Sequence, residues 1–159
     1  MFNLVFLKLV CEELGFSRPG VKFLLIGATD GEYCDICGSL ARQYGWSGVA
    51  VEPVPEMFER LLATYDAYPD ITPVNAAIGT EDGKAVFYEV DHPNIGMQQL
   101  GSFRKDAILK HAKDFKNEFG LDLEEAIVEI DVEVISINTL LKEKSLTDLG
   151  CMFMDAEGL

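Results

Sequence analysis

One apolar stretch that ends in a glycine-bounded turn constrains this sequence more than any other feature. Residues 21–31 are VKFLLIGATDG, and Phe23–Ile26 is an unbroken apolar run. Strands that are buried on both faces of a parallel sheet have this pattern. Open α/β sheets bind ligands at the carboxyl ends of such strands, and glycine lets a ligand approach the backbone closely. We therefore predict a buried strand followed by a binding turn, Gly27-Ala28-Thr29-Asp30-Gly31, although many such turns are purely structural.

A carboxylate at the end of the next predicted strand points to a nucleoside site. Residues 48–51 are the apolar segment GVAV, and Glu52 follows it, 21 residues after Gly31. In dinucleotide-binding folds an acidic residue at this point binds the ribose hydroxyls of an adenosine group. The turn and Glu52 together predict a site for an adenosine-containing cofactor.

Composition narrows the class of protein. The 159 residues are 48% hydrophobic, which suits one globular domain with a substantial core. The formal net charge of -14 argues against nucleic acid or an anionic membrane as a partner. The four cysteines are too few for a secreted disulfide scaffold, and residues 1–10 are too short to span a bilayer. We expect a cytoplasmic protein without a membrane span.

The chain predicts an alternation of helices and strands. We expect an N-terminal helix and linker over residues 1–20, packed on a main domain over 21–159, with an insertion over 81–135. Strands are predicted at 46–52, 71–78, 85–90, 128–134 and 151–154, and helices at 2–14, 33–44, 55–65 and 102–119. The 102–119 helix carries five basic residues, which indicates either a solvated face or a lid over the site.

Five segments in order resemble the motifs of the FkbM-type methyltransferases. They are LLIGATDG, GWSGVAVEPVPEMFERL, VNAAIG, VISINTLL and FMDAEG, and the resemblance covers residues 21–159. This resemblance implies a Rossmann-like class I methyltransferase sheet in a three-layer αβα arrangement. Many relatives have asparagine where this chain has Thr29. The family also has three strands after the fourth, so we expect a chain truncated after the fourth core strand and poorly active.

The resemblance also implies a cofactor and roles for individual residues. S-adenosylmethionine would bind at Gly27, Ala28, Thr29, Asp30, Gly31 and Glu52, with Asn75 and Ala76 bordering the adenine. Asp155 would orient the methyl acceptor or act as a base, with Glu157 as the second choice. The acceptor would be a small molecule, most simply a hydroxyl group on a sugar, lipid or secondary metabolite, and the oligomeric state is left open.

Other functions fit parts of the same pattern. Cys34-x-x-Cys37 could be a redox motif, but Cys37 also fits the apolar face of its predicted helix. His92 and His111 lie far apart, and without a second cysteine pair we expect no metal site. An NAD-dependent oxidoreductase would share the turn and Glu52. A non-catalytic or incomplete nucleotide-binding domain is the remaining alternative.

Overall fold

The computed structural model describes residues 4–32, 36–92 and 99–156. The strands of these ranges are β1 (Lys22–Ile26), β2 (Ser47–Val51), β3 (Ile71–Val74), β4 (Ala77–Gly79), β5 (Gly83–Val90), β6 (Gly101–Ser102), β7 (Ile127–Ser136) and β8 (Cys151–Met154). The helices are α1 (Leu4–Glu13), α2 (Ile36–Tyr44), α3 (Pro55–Tyr65), α4 (Lys105–Leu109), α5 (Ala112–Phe119), α6 (Leu123–Ala126) and α7 (Ile137–Glu143). Within the described ranges, no helix combines the length and apolar character that crossing a bilayer requires.

The first sheet is parallel and has the strand order β3-β2-β1-β8. Its register pairs Leu24 of β1 with Val49 of β2 on one side and with Met152 of β8 on the other. The crossover helices α2 and α3 join β1 to β2 and β2 to β3. This topology confirms the predicted Rossmann-like α/β class and brings the carboxyl ends of β1, β2 and β8 together.

Helices cover both faces of this sheet because β1 is apolar at every central position. Phe23 and Leu25 pack with residues of α1, α2 and α3, including Cys11 and Leu61. Leu24 packs on the opposite face, in a cluster that contains residues of α7 and the segment after it. Phe23 and Leu24 are both completely buried. Burial on both sides fixes the position of the turn that follows β1.

The predicted strand over residues 71–78 is wrong as a single element. It divides into β3 in the first sheet and β4 in a second sheet, whose order is β4-β7-β5-β6. The division falls at Asn75, whose Nδ2 donates to the backbone oxygens of Glu52 (2.8 Å) and Pro53 (3.1 Å). These hydrogen bonds tie the crossing point between the sheets to the end of β2.

The predicted helix over residues 102–119 is also wrong as one continuous element. Ser102 belongs to β6, which pairs with β5, and its Oγ accepts a hydrogen bond from the backbone N–H of Arg104 (3.1 Å). The helical part then divides into α4 and α5. The basic residues Arg104, Lys105, Lys110, Lys113 and Lys116 are all exposed, as a solvated face requires.

Two helices of the first sheet's layers carry apolar side chains that remain exposed. Phe6 and Leu9 of α1 are more than half exposed, and Leu62 of α3 is 43% exposed. Cys11 of α1 is buried and packs in the same core cluster as Trp46. The Nε1–H of Trp46 also donates to the backbone oxygen of Phe16 just after α1 (2.9 Å). Among the α1 side chains whose burial the structure describes, Cys11 is the one that is fully buried.

Candidate active site

A pocket lies between the carboxyl edge of the first sheet and one end of the second sheet. The first sheet and its loops contribute Ile26, Gly27, Thr29, Val51, Glu52, Pro53, Val54, Ala76, Met154, Asp155 and Ala156. The second sheet and its approaches contribute Ala77, Ile78, Phe87, Gln99, Gly101, Ser102 and Phe103. Glu52 and Asp155, the two predicted strand-end acidic residues of the described chain, therefore both line this pocket, and Asp155 is exposed there.

Gly27 stands where the loops after β1 and β8 touch. Its φ angle is +79°, and a Cβ built on it would lie 1.9 Å from the backbone oxygen of Asp155. The backbone N–H groups of Gly27 and Ala28 both donate to the oxygen of Val51, each at 3.0 Å. The turn is therefore closed onto β2 and β8 at once, and only glycine fits at this position.

Glu52 is buried at the end of β2, and both of its carboxylate oxygens are held by the backbone. Oε2 accepts a hydrogen bond from the N–H of Thr29 (2.8 Å), and Oε1 accepts one from the N–H of Val54 (2.9 Å). The residue is 4% exposed. An ionised carboxylate has about four acceptor positions, so each oxygen keeps capacity for a further donor.

Burial raises the pKa of the Glu52 carboxyl from 4.5 to about 7. The negative charges of Glu89 and Asp30 raise this pKa further, whereas the N–H donors of Val54 and Thr29 lower it. Because the folded pKa lies above the unfolded one, the protonated form favours folding. Its contribution is fully present below pH 4.5 and is lost as the pH rises through 7, a change of about 3 kcal/mol.

Thr29 adopts a left-handed backbone conformation with φ +49°. A β-branched residue is strained there, whereas asparagine adopts this region readily. We expect Thr29→Asn to raise the free energy of unfolding by about 1 kcal/mol, because the backbone N–H that binds Glu52 is retained. Chemical denaturation of the two proteins at one pH measures this difference. An unchanged or lower stability would contradict the assigned strain.

The other residues of the predicted turn, Ala28, Asp30 and Gly31, pack against the protein on the side away from the pocket and do not line it. Ala28 is buried in the core cluster. Asp30 Oδ1 accepts from the N–H of Glu32 (3.0 Å), and the backbone oxygen of Asp30 accepts from Thr64 Oγ1 (2.8 Å). A Cβ on Gly31 would lie 2.9 Å from Leu61 Cδ1, so the turn packs directly on α3.

The structure separates the two residues predicted beside an adenine. Ala76 is buried and lines the pocket. Asn75 is exposed, and its Nδ2 donates hydrogen bonds to the backbone oxygens of Glu52 and Pro53. Ala76 therefore supplies a small wall of the pocket, and Asn75 holds the Glu52 loop in place.

Asp155 is the first residue after β8. Its backbone N–H donates to the oxygen of Ile26 (2.9 Å), which continues the β1–β8 pairing by one residue. The residue lines the pocket opposite the second sheet. Glu157, the second predicted catalytic carboxylate, lies outside the described residues.

The sequence interpretation missed the wall that the second sheet contributes. The rings of Phe87 and Phe103 meet edge to face, with centroids 5.2 Å apart at 87°. A Cβ on Gly101 would lie 2.6 Å from Phe87 Cε1, so the backbone of β6 packs flat on this ring. The wall depends on pairing between β5 and β6, and no spacing in the sequence signals that pairing.

The redox alternative has a simple packing explanation in the described part. Cys37 is 4% exposed and belongs to the core cluster under α2. Cys34 lies outside the described residues. Within the described ranges, no three histidine, cysteine, aspartate or glutamate side chains group as a metal site would require.

Known structures resemble parts of the fold. A protein of Galdieria sulphuraria assigned as a sarcosine dimethylglycine methyltransferase is 19% identical, with a TM-score of 0.40, over 46% of this chain and 28% of its own. YjhP of E. coli is 9% identical, with a TM-score of 0.32, over 81% of this chain and 58% of its own. No curated protein sequence shows significant similarity to the chain.

Family membership is decided by the sequence model of the methyltransferase FkbM domain. That model matches residues 26–159, from the last residue of β1 through the turn, Glu52, Asp155 and the remaining C-terminal residues. The match covers well over half of the chain and includes both strand-end carboxylates of the pocket. This chain therefore belongs to the FkbM methyltransferase domain family.

Proposed function

We propose that the pocket binds S-adenosylmethionine and that the domain transfers its methyl group to a hydroxyl of a sugar, lipid or secondary metabolite. The observation that carries this proposal is Glu52, a buried carboxylate at the end of β2 that faces the pocket with acceptor capacity to spare. Membership in the FkbM methyltransferase domain family supports the type of cofactor. The hydroxyl acceptor is proposed from the family resemblance alone.

The residues of the pocket match the chemistry of an adenosyl sulfonium compound. Glu52 Oε1 and Oε2 each hold one backbone donor and can each accept a ribose hydroxyl. The small Ala76 and the aromatic pair Phe87 and Phe103 offer apolar surface for a purine ring. The carboxylates of Glu52 and Asp155 favour a positively charged ligand in a pocket with these walls.

When bound, the cofactor supplies an electrophilic methyl group on a sulfonium. The residues of the chain then have to position the acceptor and exclude water. Asp155 follows β8 directly and is the described carboxylate best placed to accept the acceptor's hydroxyl proton or to orient that hydroxyl. Glu157 is proposed as the second group for this role.

Calorimetric titration with S-adenosylhomocysteine and, separately, with NAD tests the proposal. We expect saturable binding of the first and a far weaker response to the second, because the pocket-lining residues include two carboxylates, which repel a pyrophosphate, and no positively charged side chain to pair with it. The role of Asp155 is checked with Asp155→Asn, which should retain S-adenosylhomocysteine binding and lose transfer of labelled methyl groups to hydroxyl compounds. Preferential binding of NAD, or no binding of either compound, would reject the proposed function.

A further inference from the structure

The second sheet's side of the pocket carries a side-chain amide whose buried nitrogen lacks a hydrogen-bond acceptor. Among the described residues, Gln99 Nε2 has no hydrogen-bond partner although it is shielded from solvent. The same residue lines the pocket. Buried donors in proteins are nearly always paired, because an unpaired one costs free energy. An unpaired donor on a pocket wall therefore indicates that a ligand supplies the missing acceptor.

The other polar side chains of the wall have different chemistry. Glu52 and Asp155, when ionised, can only accept hydrogen bonds. Thr29 and Ser102 carry hydroxyl groups, which can donate as well as accept, and Ser102 Oγ accepts from the N–H of Arg104 (3.1 Å). Gln99 thus adds to the pocket a side-chain donor that neither carboxylate can provide, and it selects for a ligand with an acceptor at that point.

The surroundings of Gln99 suit a flat ring better than a charged group. Gly101, two residues along the chain, packs against Phe87, and Phe87 meets Phe103 edge to face. Ala77 lies in the same apolar cluster as Phe87. An anionic acceptor would be poorly solvated against this wall, whereas a heteroaromatic ring would bury apolar faces and present ring nitrogens at its edge.

We infer that Gln99 recognises the adenine ring of the bound cofactor. Its amide N–H donates to the ring nitrogen beside the exocyclic amine, and its carbonyl oxygen can accept from that amine, as glutamine does when it pairs with adenine. This assignment rests on the proposed function. It makes Gln99 a specificity-determining residue that reads the base, while Glu52 reads the ribose.

The assignment is tested by titrating native protein and Gln99→Leu with S-adenosylhomocysteine and with its 1-deaza and 7-deaza analogues. We expect the substitution to weaken binding of the parent compound about tenfold. It should cause no further loss with the analogue that lacks the contacted nitrogen, because that hydrogen bond is already absent. Gln43→Leu is the matched control, since Gln43 is exposed on α2, and it should bind like the native protein.

A second readout separates recognition from a structural role. Leucine removes an unpaired buried amide, so the ligand-free Gln99→Leu protein should melt at the native temperature or above it. A lower melting temperature, an unchanged affinity, or an equal loss with all three compounds would overturn the assignment. If the native protein itself fails to bind S-adenosylhomocysteine, the proposed function falls and this inference falls with it. Native binding with no effect of Gln99→Leu overturns the inference alone.

Discussion

A Gly27→Ala variant is expected to lose about 3 kcal/mol or more of unfolding free energy. The added Cβ would lie 1.9 Å from the backbone oxygen of Asp155. The alanine would also have to adopt a φ angle of +79°, which side-chain-bearing residues rarely do. The nearest atoms are the backbone oxygen and carbon of Asp155 and not a flexible side chain, so the ends of β1 and β8 must move apart. Since native domains are stable by only about 5–15 kcal/mol, this is a large fraction of the total. Urea denaturation followed by circular dichroism measures the loss.

The chain offers a control that isolates the collision from the torsion. Gly15 has φ +70°, and a Cβ there would meet nothing within 4 Å. Gly15→Ala should therefore cost only the left-handed backbone strain, about 1 kcal/mol. Equal losses in the two variants would show that β1 and β8 do not depend on close contact at Gly27.

Replacing Glu52 by glutamine is expected to weaken S-adenosylhomocysteine binding about 10- to 100-fold. Glutamine has the same shape, but one of its two terminal atoms is an NH2 nitrogen, which cannot accept a hydrogen bond where a carboxylate oxygen did. It also sets a donor against the N–H of Thr29 or Val54, so one of the two backbone hydrogen bonds is lost. Calorimetric titration at pH 8 compares the two proteins. Retained affinity would show that Glu52 does not contact the ribose.

The same residue predicts a pH dependence of defined sign. The pKa of Glu52 lies at about 7, and the ionised form is the one that accepts ribose hydroxyls. Affinity should level off as the pH rises above 7 and should fall by up to about tenfold per unit as the pH drops below it. The Glu52→Gln protein should lack this component. Titrations between pH 6 and pH 8 measure the difference.

Stability should change in the opposite direction in the ligand-free protein. Native Glu52 releases its proton on unfolding between pH 4.5 and 7, so its contribution to stability declines as the pH rises through this window. Glu52→Gln should flatten that slope by about one proton. Glu59→Gln, an exposed substitution on α3, should leave both the slope and the affinity unchanged. A native slope in the Glu52 variant would contradict the raised pKa.

The parts of the fold that local pattern determines were predictable. The apolar runs before Gly27 and Glu52 form β1 and β2, and the segment before Asp155 forms β8 beside β1. Each is a short apolar run followed by a glycine or a carboxylate, and that pattern places the residue after the run at the carboxyl edge of a parallel sheet. Ser136 likewise caps α7, since its side chain accepts from the N–H of Thr139.

The second sheet could not be predicted in the same way. Its pairs join Ala77 to Val134 and Tyr88 to Ser102, and nothing in either segment specifies its distant partner. The wall formed by Phe87 and Phe103 depends on these pairings. The structural role of Asn75 could not be predicted for the same reason, because its Nδ2 stabilises the point at which the chain leaves one sheet for the other.

The contact between Gly27 and the loop after β8 has a consequence for how catalysis would begin. The Asp155 backbone is anchored to Ile26 and lies against Gly27 before any ligand arrives. The entropic cost of ordering this carboxylate's backbone is therefore met during folding and does not recur in each turnover. Under the proposed function, the backbone that carries the Asp155 carboxylate would therefore need little rearrangement when an acceptor enters, and the protein's own stability would maintain its position.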